Sequence, residues 1–87
     1  MTASAFRKVT ATSSYVALPD IPGKTVSILN KTGDDLFLNL AGDTDGNSEI
    51  ALADGESVGV SVAANAKEIR IKSATGTTGV YIVVDTP

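Results

Sequence analysis

The sequence has no cysteine, no histidine and no tryptophan, only two Phe and two Tyr, and no basic residue between Lys31 and Lys67. Each absence closes off a class of chemistry. Without cysteine there are no disulfides, iron–sulfur clusters or reactive thiols. Without histidine the commonest zinc ligand and the commonest general base are both missing. A nucleophilic Ser or Thr would need a Ser–Lys arrangement or the chain's own terminal amine, and neither has a local signature here. Paired carboxylates for sugar hydrolysis are present in number. They need a cleft, which a small chain with so few aromatic residues is poorly equipped to build. No catalytic residue, cofactor or firm metal ligand is therefore expected, and the chain reads as non-enzymatic.

No window approaches the ~20 consecutive apolar residues of a membrane helix. The first residues, Met1-Thr-Ala-Ser-Ala-Phe6, lack the apolar core of a secretory signal, so synthesis and use without secretion is expected. A net charge of −3 argues against nucleic acid as a partner.

What is present is an aliphatic core on a short chain. Eighty-seven residues make one domain, with 43% hydrophobic residues and 5% aromatic. A domain this small buries only about 60–65% of its unfolded surface, and such domains often add a disulfide, a metal or self-association. Here the first is excluded, and self-association or docking on a larger body is the aid left open.

The apolar residues recur at period two rather than at helical spacing. Val26 and Ile28 alternate, as do Leu36, Leu38 and Leu40, with Phe37 and Asn39 on the other side. Ile50 and Leu52, then Val58, Val60 and Val62, continue the pattern, followed by Ile69 and Ile71 and finally Val80, Ile82 and Val84. The last run also carries Tyr81 and Val83 between its core residues, so it is expected to be central or covered. The expected fold is all-β: a small antiparallel β-sandwich or barrel of about six to eight short strands. Thr32-Gly33-Asp34-Asp35 and Asp54-Gly55 are turn signals. They lead us to expect one hairpin from 24–30 with 36–40 and another from 49–53 with 56–62. Gly59 is a candidate bulge, and 63–66 is expected to be a loop. Residues 1–14, rich in Thr, Ser and Ala, read either as an edge strand or as a flexible arm, with the domain proper at 15–87.

Three groups of residues invite a functional reading. Asp43, Asp45, Asn47 and Glu49 could offer oxygens to calcium. Counted from Asp43, however, Gly46 falls fourth and Asp54 twelfth, where an EF-hand needs Gly sixth and Glu twelfth, so a polar turn is the simpler reading. Asp34, Asp35, Asp43, Asp45, Glu49, Asp54 and Glu56 all fall in the stretch without basic residues. That asymmetry suits either oriented self-association or plain solubility and edge protection. Phe37 and Tyr81, pointing away from the core face, join Phe6, Arg7 and Lys8 as candidate interface residues.

The succession Val26-Ser-Ile-Leu-Asn30, a tight turn, Leu36-Phe-Leu-Asn-Leu40, then Ile50-Ala-Leu-Ala-Asp-Gly-Glu56 resembles small structural proteins of tailed-phage virions. The likeness continues through Ala64-Asn-Ala66, Ile69-Arg-Ile71 and Gly79-Val-Tyr-Ile-Val-Val84, about two-thirds of the chain. It implies a capsid decoration (cement) protein or a head-fibre or tail accessory located in the virion. Its partners would then be its own copies and a major capsid or other virion protein. No functional residue is fixed by the resemblance. The rival reading is a stand-alone carbohydrate- or calcium-binding module.

Overall fold

A computed structural model describes residues 4–40, 49–73 and 78–85, with the side chains of residues 4 and 5 left aside. The period-two pattern becomes eight strands: β1 (Ser4–Thr10), β2 (Val16–Ala17), β3 (Thr25–Asn30), β4 (Leu36–Leu40), β5 (Ile50–Leu52), β6 (Ser57–Ser61), β7 (Ile69–Ser73) and β8 (Thr78–Asp85). The alternating residues turn inward as the pleat requires. Val26, Ile28, Leu36, Val80 and Val84 have no exposed surface, and Ile69, Ile71 and Ile82 have almost none. Val9, Val16, Val58, Val60 and Val62 pack around this centre.

Two four-stranded antiparallel sheets enclose the core, in the orders β1-β8-β3-β6 and β2-β7-β4-β5. This is the arrangement of a jelly roll. Its logic is a single long hairpin folded over on itself. Leu36 pairs with Leu52, Val26 with Val60, Val16 with Ile71 and Phe6 with Val83, so every pair straddles the middle of the chain. β8, apolar on both faces, lies between β1 and β3, as expected of a central strand. Residues 4–10, read from sequence as arm or edge strand, form β1 along the free side of β8.

The two expected hairpins do not form. β3 pairs with β6 and β8, not β4, and β5 pairs with β4, not β6. The reason is turn handedness. A tight hairpin needs a type I′ or II′ turn, with positive φ at the first central residue. Among the described residues only glycines have positive φ, so Asp54 is negative and Gly55 alone is positive, at 87°. The Glu56 amide donates to the Ala53 carbonyl at 3.0 Å. Positive φ confined to the third residue is the type II pattern, which splays its flanking strands instead of pairing them. Gly33, also at 87°, sits in the β3–β4 connection. Both turns carry the chain from one sheet to the other.

Gly59 makes no bulge, since β3 and β6 pair in continuous register through Ser27 and Gly59. The irregularity lies between Val9 and Thr10, where Val9 pairs with Val80 and Thr10 with Thr78, passing over Gly79. The loop expected at 63–66 holds through Asn65, and a 3₁₀ turn then spans Ala66–Glu68. Asn65 caps it by accepting from the Lys67 amide, and the Glu68 side chain reaches back to the Asn65 amide. That reciprocal pair stabilises a turn too short to persist by propensity alone.

One buried polar residue ties both sheet-to-sheet turns together. Asn30 is fully buried. Its side-chain amide donates to the carbonyls of Asp34 (2.7 Å) and Leu52 (2.8 Å), and its oxygen accepts from the Thr32 amide (3.0 Å) and hydroxyl (2.8 Å). Its own backbone is engaged by Gly55 and Glu56.

Candidate interaction surfaces

Each sheet has an inner face committed to the core and an outer face open to solvent. On the β1-β8-β3-β6 sheet, the cross-strand rows of the outer face follow from register. One row runs Phe6, Val83, Ser27 and Gly59, and the next runs Lys8, Tyr81, Leu29 and Ser57. Phe6 is 70% exposed and Tyr81 42% exposed, with the Lys8 ammonium 5.8 Å from the Tyr81 ring centre. A shallow groove of about 210 Å³ runs between them, lined by Phe6, Arg7, Lys8, Tyr81, Ile82 and Val83. The fold thus gathers Phe6, Arg7, Lys8 and Tyr81 at one place, while Phe37 stands apart on the other sheet.

The other outer face is cationic and aromatic. Lys72 lies 4.8 Å from the Tyr15 ring centre and 5.6 Å from that of Phe37, with Arg70 5.5 Å from Tyr15. The Tyr15 hydroxyl donates to the Glu49 carboxylate, which lies 3.9 Å from the Lys72 ammonium. Arg70 donates from Nε to the Asn39 side-chain oxygen at 3.1 Å. Phe37 is half-buried in this cluster. Of the calcium candidates only Glu49 lies within the described residues, and its carboxylate is already engaged; Asp43, Asp45 and Asn47 lie outside them. No group of three or more His, Cys, Asp or Glu side chains converges as metal ligands among the described residues.

The acidic residues of the two sheet-to-sheet turns share one end of the sandwich, where the Gly33 amide donates to the Asp54 carboxylate at 2.9 Å. The Asp34 carboxylate accepts from the Asp35 amide and that of Glu56 from the Ala53 amide, both at 2.8 Å. These carboxylates cap the backbone of their own turns. At the opposite end Glu68 does the same more completely. The amides of Ala63, Ala64 and Asn65 donate to it at 2.9, 2.8 and 2.8 Å, and those bonds hold its carboxyl below the ordinary value of 4.5.

Two surfaces escaped the sequence reading. A groove of about 200 Å³ opens between the sheets where β4 and β5 face β6, lined by Leu38, Leu40, Ile50, Val60, Ser61 and Ile69. The second is the edge of β6 itself. Natural edges are guarded by charge, proline, bulges or brevity. β1, the opposite edge, carries Arg7, Lys8 and the bulge at Val9/Thr10. β6 reads Ser57-Val-Gly-Val-Ser61, with no charge, no proline and no register break. Asn30 bonds to Glu56, and Val62 to Lys24, across the β3–β6 ladder. By antiparallel alternation the backbone groups of Ser57, Gly59 and Ser61 therefore point to the open side. The signal was available in the sequence as an uncharged alternating run, but its meaning depended on knowing that this strand ends a sheet.

These features define an eight-stranded jelly roll with exposed edges and faces. No protein-family model matches the chain, and no curated protein does. Among solved structures it is similar to a chain from Bacillus endospore appendages, described as a novel family of disulfide-linked pili. The alignment covers 100% of this chain and 88% of that one, with a TM-score of 0.56 and 18% sequence identity. The likeness is one of fold. Disulfide linkage has no counterpart here, because this chain has no cysteine.

Proposed function

We propose that this protein is a non-enzymatic structural subunit that assembles with copies of itself. The observation that carries the reading is the unguarded β6 edge, a strand lying side-on to solvent with the backbone donors and acceptors of Ser57, Gly59 and Ser61 directed outward. The lack of histidine and cysteine and the thin stability margin of a small domain favour the same conclusion. A fold shared with a pilus subunit is in keeping with it. The setting we propose is a tailed-phage particle, with a capsid protein as second partner, supported by the strand succession from Val26 to Val84.

Light scattering over a concentration series tests self-assembly. The mass is expected to rise above the 8.9 kDa of one chain as concentration increases. Gly59→Pro removes an outward amide without touching the β3 ladder, and a Cβ at that position meets nothing within 4 Å. This variant is expected to stay folded and to lose mass. A single-chain mass at every concentration refutes the proposal. Co-sedimentation with capsids stripped of accessory proteins tests the phage setting separately.

A further inference from the structure

The outer face of the β1-β8-β3-β6 sheet is aromatic on one side, small on the other and nearly uncharged throughout. Phe6 and Tyr81 lie outside the core, and at 70% and 42% exposure the two residues hold out about 230 Å² of surface. Ser27, Ser57, Gly59 and Ser61 keep the β3–β6 side low apart from Leu29, which is half-buried beside Tyr81. Strands of seven, eight, six and five residues, at about 3.3 Å per residue and 4.8 Å apart, give a footprint of about 400 Å². That is below the ~800 Å² per partner of a standard interface and in the range of a concentration-dependent dimer.

The charges on this face match themselves. Relative to the Phe6–Val83 row, Lys8 lies one step towards one end of the strands, and Asp85 lies one step towards the other. A two-fold axis crossing the strands at that row sets Phe6 on Phe6 and Val83 on Val83. It also carries the Lys8 end of each copy over the Asp85 end of the other. The opposite outer face fails the same test, because an axis crossing β7 at or between Arg70 and Lys72 sets positive charge against positive charge.

We infer that the outer face of the β1-β8-β3-β6 sheet is a two-fold docking surface for a second copy of this chain. The inference rests on the self-assembly reading and adds to the β6 edge a second, face-to-face contact. Pairing of β6 with β6 alone closes at two chains, whereas a subunit with both contacts can continue from that pair into a longer array.

Sedimentation velocity on the full chain, with and without Gly59→Pro, tests it. With the edge blocked, a dimer is expected to remain. Phe6→Ser, at an exposed position, is expected to raise its dissociation constant about tenfold or more. Lys8→Asp is expected to weaken the dimer, and Lys8→Asp combined with Asp85→Lys to restore it. If Phe6→Ser and Lys8→Asp both associate like their parent, or if the double reversal fails to restore what Lys8→Asp lost, the docking face is wrong. If in that case Gly59→Pro still lowers the mass of the wild-type assembly, self-assembly stands without this face. A wild-type chain that is monomeric throughout overturns both.

Discussion

Replacing Asn30 by alanine should cost this domain a large share of its stability. The side chain makes four hydrogen bonds from a fully buried position. The Leu52 carbonyl, at the buried end of β5, loses its Asn30 donor, and an orphaned buried acceptor costs about 1–3 kcal/mol. The other three bonds involve Thr32 and Asp34, nearer to solvent, where water can substitute, and each contributes about 0.5 kcal/mol. The sum is about 2.5–4.5 kcal/mol. A domain of this size has a total stability of about 4–13 kcal/mol. Urea unfolding followed by far-ultraviolet circular dichroism, suited to a chain without tryptophan, should show the midpoint falling with an unchanged slope. Thermal melts should fall by about 10–35 °C. The isosteric Asn30→Asp is the sharper control. It keeps the shape and turns a donor towards two carbonyl oxygens into an acceptor, so it should destabilise at least as much as alanine. A loss below about 1 kcal/mol for Asn30→Ala, or an aspartate variant more stable than the alanine one, would refute the account.

Two glycines with positive φ should respond differently to alanine. At Gly55 a Cβ meets nothing within 4 Å, so only the backbone penalty of about 1–2 kcal/mol applies. At Gly79, with φ of 120°, a Cβ would lie 2.6 Å from the Lys31 carbonyl oxygen, so about 3 kcal/mol or more is expected. Equal urea midpoints for the two variants would contradict this ranking. Glu68 has a lowered folded-state pKa, so the stability it contributes is present above the unfolded value of 4.5 and is lost as pH falls through the folded one. Acid titration of the melting temperature should therefore show a steeper decline for wild type than for Glu68→Gln below pH 4.5, and parallel curves would dismiss that carboxylate's role.

The strands and their inward residues were readable because period two is a property of each strand alone. Val26, Ile28, Ile69, Ile71, Val80, Ile82 and Val84 all face the core where alternation puts them. Pairing was not readable, because alternation says which face a residue takes and nothing about which strand lies beside it. Asp54-Gly55 misled for a specific reason. The same dipeptide serves a hairpin only if Asp54 takes positive φ, and in this chain it does not. Asn30 was hidden in a run that reads simply as the end of a strand. The gathering of Phe6, Lys8 and Tyr81 was hidden too, because it joins positions more than seventy residues apart in the chain, a separation set by the β1–β8 ladder. Leu40 gave the opposite error: it continues the alternation of β4 yet lies 45% exposed at the mouth of a groove.

The nested pairing of strands about the middle of the chain also dictates an order of events on the ribosome. β1, β2, β3 and β4 emerge with no partner among themselves, since each one's ladders are to strands in the second half. Pairing starts only when β5 has been made. Each closure then brings the next two strands near, so successive loops cost far less entropy than their sequence separation suggests. β1, made first, waits longest for β8. During that wait Phe6 and its neighbours belong to no sheet, which leaves the earliest-made strand as the one most open to meeting another chain.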